Sequence, residues 1–167
     1  MSKISSFGAV ATLTFAAALA GCGGGGGSGN LNAFVGTWSY ATGQSNINCP
    51  ATGGVSSLPL SGYSVALSRA VSGADLAYVS NVDSCLYYLD VRGNTATLAP
   101  SSPCADSGYT AEYGNYNVLV TPRSWLLTVS GNSMTEGASS DLSYATDSGD
   151  FTCSGSITGA SLTRVAL

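Results

Sequence analysis

Histidine is absent from the 167 residues, and the only lysine is Lys3. Without histidine there is no Ser-His-Asp or Cys-His arrangement, and the commonest transition-metal ligand is missing. Without lysine beyond position 3, the rest of the chain has neither Schiff-base nor Ser-Lys chemistry. Charge of either sign is scarce, at 8% of residues against about 25% in an average soluble chain. Past Lys3 the cations are Arg69, Arg92, Arg123 and Arg164, which face nine acids for a net charge of −5. That balance argues against nucleic acid, whose phosphates are bound by cationic side chains. No residue set calls for a cofactor or a metal. Long hydrophobic runs are also lacking. The stretch from Phe7 to Ala20, interrupted by Gly8, Thr12 and Thr14, is well below the roughly 20 apolar residues of a membrane-spanning helix.

What the N-terminal segment does contain is a positive start, a short apolar stretch and small residues at its end, the order of a secretory signal peptide. Leu19-Ala20-Gly21-Cys22 then resembles the lipobox of bacterial lipoproteins. The resemblance implies that the Cys22 thiol carries a diacylglycerol and that Cys22 is the first residue of the mature chain. Residues 1–21 read as signal peptide and residues 22–30 as lipidated cysteine plus tether. Gly/Ser chains of this kind are flexible coils, and two or more acyl chains are needed for a stable anchor. Glycine rather than aspartate after Cys22 leans, by the same resemblance, towards the outer membrane of a bacterial envelope.

Residues 31–167 have the length of one domain. Hydrophobic residues make up 44% of the whole chain, so the segment has material for a core despite its scarcity of charge. Short runs rich in β-branched and aromatic residues recur: "FVGTWSYA", "YSVALS", "DLAYVSNV", "CLYYLDV", "TATLA", "YNVLV", "SWLLTVS" and "DFTCSGSI". Turn signals at Arg92-Gly93-Asn94, Gly131-Asn132 and Ser148-Gly149-Asp150 separate them. Phe34, Gly36, Trp38 and Tyr40 share one strand face, and no amphipathic helix follows residue 30. The predicted class is all-β and antiparallel.

Cys49, Cys85, Cys104 and Cys153 remain after Cys22, an even number suited to two disulfides in an exported domain. Folding "CLYYLDVRGNTATLAPSSPC" about Gly93-Asn94 brings Cys104 near Cys85, and Cys49 then pairs with Cys153 by elimination. The second bond ties the first strand region to the last, as in a closed up-and-down barrel. "FVGTW" near the start of the domain resembles the Gly-x-Trp signature of lipocalin and wider calycin barrels, carried here by Gly36 and Trp38. The resemblance implies a basic residue near the C-terminus packed across the tryptophan, and "SLTRV" offers Arg164. The alternative is a β-sandwich in which Trp38 is simply core.

Paired carboxylates hydrolyse glycosides, but nothing marks a buried pair among Asp75, Asp83, Asp90, Asp106, Glu112, Glu136, Asp141, Asp147 and Asp150, and most of these acids sit beside Gly, Ser or Asn in apparent turns, where solvated carboxylates are usual. Asp147-Ser148-Gly149-Asp150 offers oxygens for Ca²⁺ without completing an EF-hand pattern. "YTAEYGNYN" places Tyr109, Tyr113 and Tyr116 around Glu112 and Asn115, a mix that suits sugars or protein surfaces and equally suits barrel packing. The expectation is a non-catalytic, lipid-anchored binding or structural module. Its partner is a small apolar ligand or, alternatively, a glycan or envelope protein, and a carboxylate hydrolase ranks last. Cys22→Ala should leave unprocessed precursor or release soluble protein, as fractionation and palmitate labelling would report. Wild-type protein recovered soluble without detergent would contradict the lipobox.

Overall fold

The computed structural model describes residues 30–51, 54–71, 73–80, 85–100, 103–110 and 114–166; Cys22, the signal segment and the glycine tether lie outside them.

A single helical turn, α1 (Leu31–Phe34), precedes ten strands: β1 (Gly36–Cys49), β2 (Gly54–Pro59), β3 (Ser64–Arg69), β4 (Leu76–Ser80), β5 (Leu86–Arg92), β6 (Thr95–Leu98), β7 (Cys104–Thr110), β8 (Gly114–Ser130), β9 (Ser133–Thr146) and β10 (Gly149–Arg164). The fold is all-β, and every ladder is antiparallel. Hydrogen-bonded neighbours run β10-β9-β8-β6-β5-β4-β3-β1, and β1 pairs back with β10, so the sheet closes partly into a ring. β2 pairs with the second half of β1, and β7 with the first half of β8.

Strand lengths divide the molecule into two levels. β3 to β6 have four to seven residues, whereas β1, β8, β9 and β10 have 14 to 17. The long strands therefore overhang the short ones, and β2 and β7 edge the overhang. Register shifts mark the junction: between Tyr40 and Gln44 in β1, at Pro122/Ser124 in β8 and at Ile157/Ala160 in β10. An inserted residue bends a strand and reverses which side chains face inward. In β8 the buried positions accordingly change from Val118 and Val120 to Trp125, Leu127 and Val129. Pro122, which cannot donate to a ladder, is accommodated beside the irregularity. Gly43, at φ +129°, allows close approach of β10, because a β-carbon there would lie 2.8 Å from Ala160.

Below the bends the interior is filled by Trp38, Val65, Leu67, Leu89, Leu127 and Leu162, all buried. The sequence places Phe34 on the first strand, but it ends α1 instead. Its carbonyl accepts the Trp38 indole N–H at 2.7 Å, and the chain turns into β1 at Gly36 (φ +140°). Arg164 stands opposite Trp38 in the β1–β10 ladder. Its guanidinium carbon lies 4.5 Å from the indole centroid, Nη1 donates to the Val35 carbonyl at 2.7 Å and Nη2 donates to that of Ala33.

Two disulfides join the chain, Cys49–Cys153 between β1 and β10 and Cys85–Cys104 from the approach to β5 to the start of β7. The hairpin turn between β5 and β6 falls at Gly93-Asn94, with Arg92 opposite Thr95. Trp38→Ala should cost about 3–5 kcal/mol as a large-to-small core change. Arg164→Ala should cost less, about 2–3 kcal/mol, by removing the cation–π contact and the charged donors. Urea unfolding of both variants, with unchanged m-values, is the check.

Candidate functional site

The bends leave the upper interior less filled than the lower one. Trp125 is the first inward residue of β8 after the irregularity, and it packs against Tyr87 of β5 and Tyr78 of β4 with ring centroids 4.5 and 4.9 Å away. These rings form a floor. Above it lies a cavity of about 410 Å³, within the roughly 300–1,000 Å³ of small-molecule sites. Its walls are apolar at Ile47, Leu60, Val120, Leu142 and Ile157, and hydroxyl-bearing at Ser45 and Ser140. Ser56 and Leu58 of β2 and Asp106 of β7 line it as well, so both edge strands contribute.

Beneath the floor is Glu136 of β9, only 5% exposed. Tyr40 donates to its Oε2 at 2.6 Å, while the Tyr78 hydroxyl and the Trp125 indole N–H each donate to Oε1 at 2.8 Å. The Tyr40 and Tyr78 oxygens are 2.9 Å apart. A buried carboxyl is tolerated only with such partners. Burial pushes the Tyr78 phenol well above its ordinary range, and Glu136 and then Tyr40 push it the same way. Tyr78 therefore keeps its proton at neutral pH and remains a donor. Glu136 departs from the turn setting expected of most of the acids: it stands within β9, in phase with inward Met134, and that alternation is the signal in the sequence.

Of the tyrosines singled out in the sequence, Tyr109 and Tyr116 do not gather. Tyr116 lines the cavity, its ring lying over Gly108 and its centroid 6.0 Å from that of Tyr144. Tyr109 is 72% exposed, and Tyr113 and Glu112 fall outside the described residues. Tyr144 stacks on Phe151 at 5.0 Å, and its phenol is pushed up by burial, then by Tyr116 and Asp106. Asp147 accepts from the Asn115 backbone at 2.9 Å and from its side chain at 3.1 Å, which gives it a structural role at the β9–β10 turn. Among the described residues no group of three or more Cys, Asp or Glu is arranged to hold a metal ion. Gly36, Trp38 and Arg164 meet at the opposite end of the ring from the cavity.

Comparison with protein-family models, with curated proteins and with solved structures finds no match. Glu136→Ala should destabilise the fold by about 3–5 kcal/mol, because three buried donors lose their acceptor. Glu136→Gln, which retains an acceptor, should cost about 1–2 kcal/mol. Denaturant unfolding of the two variants distinguishes these costs, and equal losses would argue against the network.

Proposed function

We propose that this chain is a non-catalytic, lipid-anchored binding protein of a bacterial cell envelope that holds a small, largely apolar ligand in its interior. The cavity above Trp125 carries this reading: it combines apolar walls, an aromatic floor and a few hydroxyls, the usual composition of ligand sites. The anchor is the lipid on Cys22, with an outer-membrane address, and rests on the lipobox resemblance.

The ring is read as an up-and-down barrel of the lipocalin and calycin kind. Support comes from the β1–β10 pairing and from Arg164 over Trp38. Hydrolysis by paired carboxylates has less support, because Glu136 is the one buried acid among the described residues and its oxygens are engaged by donors. Recognition of a glycan or protein by a loop tyrosine cluster is likewise less favoured, since Tyr109 and Tyr116 point to different surroundings.

The apolar fluorophore phenylnaphthylamine should bind the purified protein at one saturable site and quench Trp125. Ala138→Phe, which adds a ring to the cavity wall, should weaken binding at least about tenfold, the scale of a lost apolar contact of about 1.4 kcal/mol. Circular dichroism would verify that the variant folds. Undiminished binding in that variant would place the fluorophore elsewhere and remove the cavity as the site.

A further inference from the structure

Resting on the ligand-binding reading above, we infer that the cavity selects a monocationic amphiphile, an amine or quaternary ammonium head on a short apolar body. The charge pattern of the lining is the first observation. Asp106 is the only charged residue among those that line it. Asp106 stands opposite Val118 in the β7–β8 ladder, and directly opposed residues share a sheet face, so the carboxylate lies on the face that looks into the cavity. The Ser107 amide donates to its Oδ1 at 2.8 Å, which orients the group.

The arginines are engaged elsewhere. Arg69 donates to Asn32, Arg123 pairs with Asp141, Arg164 holds the carbonyls of α1 and its exit, and Arg92 flanks the Gly93-Asn94 turn. None of the four lines the cavity. An anionic head would enter with no counter-charge and would lose its hydration, whereas a cation meets both a carboxylate and aromatic faces. Trp125, Tyr78 and Tyr87 form the floor, and Tyr116 and Tyr144 stand on the side of Asp106. Cations are attracted to such faces within about 6 Å of the ring centroid, and aromatic cages bind quaternary ammonium groups in this way.

An inward charge on an edge strand also discourages edge-to-edge pairing, so the test must read ligand charge. The probes are octyltrimethylammonium, octyl glucoside and octanoate, which share one tail and differ in head. Each is titrated calorimetrically into the purified full-length protein and into Asp106→Asn. Octyltrimethylammonium should bind at least about tenfold tighter than the other two, and this preference should shrink in Asp106→Asn and at high salt. Octyl glucoside affinity should change far less than that of octyltrimethylammonium in that variant. Equal or tighter binding of octyl glucoside or octanoate, or a cation preference that survives in Asp106→Asn, would overturn the inference and leave the binding module standing. Absence of saturable binding by all three would remove both.

Discussion

The Glu136 carboxyl is the contact on which the interior depends. It is carried by β9, and it draws donors from β1, β4 and β8, strands that are not all neighbours in the sheet. Backbone ladders connect each strand only to those beside it. The carboxyl connects them across the space they enclose. Its position also bears on the depth of the cavity, because two of its donors, Tyr78 and Trp125, belong to the floor. Apolar packing alone is non-directional and would fix neither ring so closely.

The register shifts complement that network. Without them the long strands would continue the curvature of the lower ring, and the same inward face would run their whole length. With them β1, β8 and β10 change phase together at one level, and small residues such as Ser45, Ser140 and Gly155 come to face the interior where large ones stood below. The cavity is thus a product of backbone irregularity and side-chain size acting together.

Much of the lower level was legible in the sequence. "YSVALS" and "CLYYLDV" alternate cleanly because β3 and β5 are short, straight and half-buried, and the Gly93-Asn94 turn fixes the hairpin that Cys85 and Cys104 bracket. The upper level was harder to read. "YNVLV" and "SWLLTVS" look like two strands because Pro122 and a phase change separate them, yet they are halves of β8. β9 was missed altogether: its inward residues are Met134, Glu136, Ala138 and Leu142, too small or too polar to make a β signature. β2 and β7, serine- and glycine-rich edge strands, carry almost no apolar alternation. The cavity floor was invisible for a related reason, since Tyr78, Tyr87 and Trp125 belong to three different segments.

Chain entry and cavity lie at opposite poles. Asn30 donates its amide to the Gly93 carbonyl and α1 seats against Arg164, beneath the filled level, whereas the cavity is bounded by β2, β7 and the distal halves of the long strands. A strand advances about 3.3 Å per residue, so β8, which runs from one level to the other in 17 residues and bends on the way, separates the two poles by less than about 55 Å. Whatever precedes residue 30 therefore joins the domain at its filled end, and the cavity is left at the far one.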